Sequence, residues 1–189
     1  MIVIPTKKTS VTLGLGDQVV TIYGAPKIGK STFASQFPGA LFAATEPGLN
    51  HLNVYQIPIN GWKDFLSLGA ALASDPLQVE TLVVDTVDIL YLQCQSAVCD
   101  KAEVQHPSGK HMRWAPTLPP SARNIVEGMS DLLLFADVDG DGSRVLRTKP
   151  SQRWIAGDRS GKLPETLPLS YDSLSSTFSG KAKKNGEKK

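Results

Sequence analysis

Gly24-Ala-Pro-Lys-Ile-Gly-Lys-Ser-Thr32 decides the fold. Gly24, Gly29, Lys30 and Ser31 fall on every fixed position of the pattern Gly-x-x-x-x-Gly-Lys-[Ser/Thr]. Ala25, Pro26, Lys27 and Ile28 fill the variable positions, and Thr32 extends the stretch. At average residue usage such a match arises by chance in roughly one chain in a hundred of this length. The flanks sharpen it. Gln18-Val-Val-Thr-Ile-Tyr23 is a β-branched and aromatic run that reads as a strand. Ser31-Thr-Phe-Ala-Ser-Gln-Phe37 can form a helix before Pro38 and Gly39 stop it.

Strand, glycine loop and helix start are what a phosphate site needs, in that order. Glycines let the backbone curl so that successive N–H groups point at phosphate oxygens, and the new helix adds its positive end. On this reading residues 24–32 bind a nucleoside triphosphate. Lys30 reaches the β- and γ-phosphates, and the Ser31 hydroxyl ligates Mg²⁺. The plainer alternative is a glycine-rich turn with an exposed lysine. The strand before the loop and the helix after it argue against that.

The chain has 189 residues, 41% hydrophobic and 20% charged, enough for one sizeable core. No apolar run approaches a membrane span. Met1-Ile-Val-Ile-Pro5 is too short and too soon interrupted for a secretory signal. Cys94 and Cys99, five apart in a predicted helix, face different ways, so free thiols in a reducing cytoplasm are expected. The net charge is +2. From Ser179 onward, Lys181, Lys183, Lys184, Lys188 and Lys189 against Glu187 carry +4, leaving −2 for the body. The body is therefore no basic nucleic-acid surface. Residues 179–189 read as a solvated, disordered basic tail behind one domain, 1–178.

Along the chain, residues 1–17 read as an edge strand or arm. Ala40-Leu-Phe-Ala-Ala-Thr45 is a continuous apolar run, as expected of a strand buried on both faces. The polar break behind it puts Glu46 at a strand's carboxyl end, where ligands of open α/β sheets sit. Val54–Ile59 reads as an edge strand because of Pro58, and Asn60 can cap a helix from Trp62 to about Ser74. Asp75-Pro76 ends that helix. Thr81-Leu-Val-Val-Asp85 then delivers an aspartate at a strand end, a Walker B pattern in which Asp85 shares Mg²⁺ with Ser31. An amphipathic helix follows over about 88–102, with Ile89, Leu90, Leu92, Val98 and the cysteines as its apolar members. The stretch 103–120 is loop-rich. A further helix over 121–129 leads into a buried strand, Asp131–Ala136. Asp139-Gly-Asp-Gly142 turns that strand into a hairpin with Arg144–Lys149. Leu163–Leu169, rich in proline, is expected to wrap the surface. No internal repeat is present.

Two patterns resemble metal sites. Asp137, Asp139 and Asp141 copy the first half of a calcium loop, but Thr148 stands where its bidentate glutamate belongs, and a hairpin fits better. Cys94, Cys99, His106 and His111 match no zinc-finger spacing.

With these motifs placed, the chain resembles the phage-encoded RecA-like P-loop ATPases of the Sak type, which are linked to single-strand annealing and recombination. The likeness runs from Tyr23 to Tyr171. It rests on Tyr23–Thr32, Leu41-Phe-Ala-Ala-Thr-Glu-Pro-Gly-Leu49, Val83-Val-Asp-Thr-Val-Asp88, Arg147-Thr-Lys-Pro-Ser151 and Gly157-Asp-Arg-Ser-Gly161. It implies an α/β fold with a mostly parallel central sheet, flanking helices and a C-terminal β-hairpin. It implies Glu46 as the carboxylate that orients the attacking water beside Lys30, with ATP and Mg²⁺ bound. By the same likeness Arg147 and Lys149 become candidates for reaching a neighbouring subunit's γ-phosphate. Single-stranded DNA, phage recombination proteins and a homo-oligomer are the implied partners, in the host cytoplasm. One departure stands out. Relatives carry a helix and a strand, often ending Ser-His, that inserts between the Walker A and Walker B strands, whereas here Val104 to Arg113 joins the two regions directly.

The leading expectation is an ATPase acting on single-stranded DNA. A P-loop kinase for a nucleoside or metabolite is the first alternative. Its usual cluster of lid arginines is replaced here by Arg144, Arg147, Arg153 and Arg159, spread along a hairpin and its exit. A nucleotide-gated binding module without turnover is the second, kept open by the absent strand.

Overall fold

The computed structural model describes residue 6 and residues 14–74, 79–102 and 118–179. The basic tail, the Asp75-Pro76 stop, His106, His111 and the Val104–Arg113 junction lie outside the described residues.

A turn of 3-10 helix, Leu15–Asp17, leads into β1, Val20–Gly24, and α1 runs over Lys30–Ala34. Then come β2, Ala40–Ala44, β3, Tyr55–Pro58, α2, Trp62–Ser74, β4, Thr81–Asp85, and α3, Val87–Ala102. The second half holds α4, Pro120–Met129, β5, Leu132–Val138, β6, Arg144–Arg147, β7, Gly157–Asp158, β8, Thr166–Pro168, and α5, Tyr171–Phe178.

The sheet is mixed rather than mostly parallel, and it is divided in two. One sheet runs β1-β5-β6-β8 with β7 also on β5; only β1–β5 is parallel there. The other runs β3-β2-β4, parallel throughout. Two physical causes account for the difference. The tight turn after β5 can only return the chain antiparallel. And β1 pairs on its β5 side alone, β4 on its β2 side alone. Among the described residues no strand lies in the chain between β4 and β5, so nothing carries the ladder across from one edge to the other.

The alternation of β5 sets the larger core. Leu132, Leu134 and Ala136 point one way and are fully buried with Leu146, Phe33, Ile28, Leu163, Leu167 and Leu174. Ile28 lies in the middle of the loop and Phe33 just beyond it in α1, so the loop is pinned to the core at its centre and at its C-terminal side. On the opposite face Phe135 stacks between Tyr23 and Trp154, with centroids 5.0 and 5.7 Å away.

In the smaller sheet β2 is covered on both sides, as its unbroken apolar run predicts. Ala43 faces Ile59, Leu68 and Leu90, while Phe42 and Ala44 face Leu49, with Ala34 of α1 packed against them. Through Phe33 and Ala34, α1 therefore touches the cores of both sheets. Pro58 lies on the edge strand β3, as expected. Asn60 does not act through its side chain; its N–H donates to Asp64 Oδ2 at 2.9 Å, so the cap comes from inside the helix. On α3 only Leu90 is buried, while Leu92 and Val98 are half-exposed, because the three-stranded sheet is too narrow to cover more of the helix.

Two expectations at the C-terminal end are corrected. Leu163–Leu169 does not wrap the surface: β8 pairs with β6, and Leu163 and Leu167 enter the core. Its prolines are tolerated because β8 is an edge strand. The sequence reading assigns no element to 171–178, yet α5 forms there, capped by Ser170 accepting from the Ser173 N–H and anchored by the buried Leu174.

Asp158 holds the intervening segment. Its side chain is fully buried, accepting from Ser160 N and Oγ at 2.8 and 2.6 Å and from Leu163 N at 2.8 Å, with Lys149 Nζ 3.6 Å away. Burial pushes its pKa up, but these hydrogen bonds and the lysine outweigh it and hold the carboxyl below its ordinary value. A depressed carboxylate contributes stability above its unfolded pKa and loses it as pH falls through the folded one. Asp158→Asn is expected to cost about 2–3 kcal/mol near neutral pH, on the scale of hydrogen bonds to a charged group. Urea midpoints should show the gap to wild type closing below about pH 4. A gap independent of pH would mean the charge is not what matters.

Candidate functional site

The loop's backbone requires its glycines at two places. Gly24, paired in register with Ala136 on β5, has φ 152°, and a Cβ there would collide with the Ala136 carbonyl oxygen. Gly29 has φ 109°, a left-handed conformation that turns the chain into α1. Lys27, at φ 62°, takes the same region with a side chain, which costs on the order of 1 kcal/mol.

Lys30 folds back over the loop, its Nζ donating to the carbonyls of Gly24 and Ala25 at 3.0 Å each. Partial burial lowers its pKa below the ordinary lysine value, opposed by the charges of Asp85, Asp88 and Glu46. Those three carboxylates therefore act electrostatically on the lysine. Ser31 Oγ donates to Asp85 Oδ2 at 2.7 Å across 54 residues of sequence, joining the loop on one sheet to the strand end on the other.

Thr45 stitches the ends of β2 and β4 together. Its N–H donates to Asp85 O at 2.9 Å, its Oγ1 accepts from Thr86 N at 2.7 Å, and the same hydroxyl donates to Thr86 O at 3.1 Å. The exposed Glu46 is the next residue, so its starting point is held by three hydrogen bonds. The sequence reading quotes Thr45 but gives it no role; a short polar residue ahead of the carboxylate is the only signal it offers.

Arg147 and Lys149 are placed on and just beyond β6, and both are engaged within the chain. Arg147 contacts Asp137 at 3.2 Å, Asp139 at 3.0 Å and Thr166 Oγ1 at 3.2 Å, with its guanidinium 5.4 Å over the Trp154 ring. Hydrogen bonds from Gly140 N–H and Arg147 hold the Asp139 carboxyl below its ordinary value. Two of the three aspartates that imitate a calcium loop are thus paired with an arginine. Among the described residues no group of three or more metal-binding side chains occurs. Cys94 and Cys99 are free thiols.

A hydroxyl and a carboxylate in contact, both oxygen donors, suit a hard divalent cation bound beside phosphates. Thr86 Oγ1, one residue beyond Asp85, is buried without a hydrogen-bond partner, a further polar atom left unsatisfied at this strand end. No described helix is long and apolar enough to cross a membrane.

A family model for the AAA domain matches the chain in two stretches, 17–112 and 102–160, well over half of it. A Bacillus subtilis (strain 168) protein, named as an SPbeta prophage-derived uncharacterized protein, YorG, is 31% identical over 100 residues. That match covers 50% of this chain and 31% of the relative, so the chain spans about a third of the length of the curated protein it matches. No solved structure matches the chain. The matched stretches contain the loop, both strand-end carboxylates and the hairpin, and the chain belongs to the AAA-domain family of P-loop, nucleotide-binding, ATPase-like proteins.

Proposed function

We propose that this chain binds ATP on residues 24–32 and hydrolyses it, with turnover coupled to single-stranded DNA in phage recombination or annealing. The observation that carries the nucleotide part is the 2.7 Å contact of Ser31, next to Lys30 in the loop, with Asp85. Backbone N–H groups of the loop and Lys30 hold the phosphates. Ser31 and Asp85 would hold Mg²⁺, which supplies charge neutralisation on the β- and γ-oxygens when bound. Glu46, launched from the Thr45 anchor, accepts a proton from the attacking water and orients it. The DNA part is supported by the resemblance to the annealing ATPases and by the prophage origin in the relative's name. Arg147 and Lys149 would act on a neighbouring subunit only by exchanging Asp137, Asp139 and Asp158 for its phosphate.

One observation favours a second reading. Among the described residues no strand lies between β1 and β4 in the divided sheet, where the resemblance to the annealing ATPases implies one, which suits a nucleotide-gated binding module without turnover. Phosphate release measured with and without single-stranded DNA separates the two. Stimulated release supports the ATPase; none under either condition leaves the binding module.

Asp85→Ala tests the metal site. Nucleotide affinity in the presence of Mg²⁺ is expected to fall by tenfold or more, on the scale of a lost metal ligand, while affinity in EDTA stays near wild type. An equal fall in both titrations would remove Asp85 from the magnesium shell.

A further inference from the structure

β6 opens on Arg144, and the fold brings that residue to the phosphate loop. A Cβ placed on Gly29 would meet Arg144 Nη1 at 3.3 Å and Leu169 Cδ2 at 3.5 Å. Two strands converge to make this approach: Leu169 N, just past β8, donates to Arg144 O at 3.1 Å. Ile28, next to Gly29, is buried in the same core as Leu146 and Leu167 of those strands. The hairpin and the loop are therefore one packed unit, and the guanidinium is carried to the loop by rigid elements.

The charge around the loop is unbalanced in a telling way. Arg147 has two carboxylates, Lys149 has Asp158 and Arg159 has Asp131. The Arg144 side chain has no hydrogen bond or ion pair among the described residues, and the residue is exposed. Lys27 stands on the same loop and Lys30 closes it. The carboxylates Asp85, Asp88 and Glu46 act on Lys30, and the Arg144 guanidinium, beside Gly29, is left to an added anion. An arginine fork in such a position matches phosphate oxygens bidentately.

Resting on the nucleotide-binding reading above, we propose that Arg144 is a phosphate-binding residue acting in its own subunit, on the α- and β-phosphates of a nucleoside di- or triphosphate. Arg144 stands at the Gly29 corner of the loop, and the backbone N–H groups of such a loop cradle the α- and β-phosphates. It contributes to nucleotide affinity and not to the discrimination of ATP from ADP.

The test is a fluorescent-nucleotide titration with ATP and ADP as competitors, on wild type, Lys30→Ala, Arg144→Ala and Arg144→Lys, with melting curves of each. Arg144→Ala is expected to weaken ATP and ADP alike by about tenfold, the scale of a charge-assisted hydrogen bond. Arg144→Lys should recover part of that loss, and the melting midpoints should stay together, since the β6–β8 backbone bond does not involve the side chain. Unchanged affinity in Arg144→Ala overturns the proposal. A loss confined to ATP overturns it too, because that is a γ-phosphate contact. A loss that Arg144→Lys does not relieve and that accompanies a lower midpoint assigns Arg144 to structure instead. The Lys30 arm keeps the two levels apart. If wild type and Lys30→Ala bind neither nucleotide, the loop reading itself fails and this proposal falls with it.

Discussion

Glu46→Gln is expected to keep near-normal ATP affinity while phosphate release falls by roughly a hundredfold or more, the scale of general-base loss. Glutamine preserves size and hydrogen bonding and removes only the negative charge that polarises the water. A group acting on the attacking water contributes to the transition state and little to ground-state binding, so the two measurements should part. The geometry explains why the substitution should be clean. Glu46 is exposed and has no hydrogen bond or ion pair among the described residues, while Thr45 beside it holds the ends of β2 and β4 together. Thr45→Val would disturb both strand ends and could not separate chemistry from folding. Steady-state phosphate release beside a fluorescent-nucleotide titration reads the two quantities on one preparation. If wild type turns over ATP and Glu46→Gln does so equally fast, Glu46 is not the base.

Lys30→Ala should abolish detectable ATP binding and leave the fold intact. The lysine's two hydrogen bonds go to carbonyls of its own loop, so their loss frees no distant element. Its loss does remove a side-chain cation on which the charges of Asp85, Asp88 and Glu46 act. A pH dependence follows from the same environment. Partial burial lowers the Lys30 pKa, so the protonated, phosphate-binding form is complete at low and neutral pH and is lost as pH rises through that lowered value. Nucleotide affinity should therefore decline on the alkaline side earlier than an ordinary lysine would allow. Equal ATP affinity in mutant and wild type would remove the loop from the phosphate site altogether.

What could be read from the residues alone was local. The loop is a backbone device whose demands fall on single positions: a glycine where β5 comes too close, another where φ is 109°, and a buried Ile28 between them. The apolar runs of β2 and β5 announce themselves for the same reason, since a strand covered on its faces has no room for polar residues. The 139–142 turn is equally local. The parallel sheet, by contrast, was expected from a likeness, and pairing between distant strands is a property of which edges meet.

The sequence by itself determined the glycine loop, the strand before it and the helix after it, and the positions of Glu46 and Asp85 just beyond β2 and at the end of β4. Each of these depends on residues within one turn or one strand. Only the tertiary structure decided the rest. It set Ser31 on Asp85 across 54 residues, divided the sheet at an edge that no described strand fills, and drew β8 into the core beside β6. It also sorted three basic residues of one hairpin by position alone. Arg147 and Lys149 face carboxylates, and Arg144, at the head of β6, faces the loop. No local pattern distinguishes these residues, because a side chain's partner is fixed by strand register and by the core that joins the hairpin to Ile28, and both are set by contacts far apart in the chain.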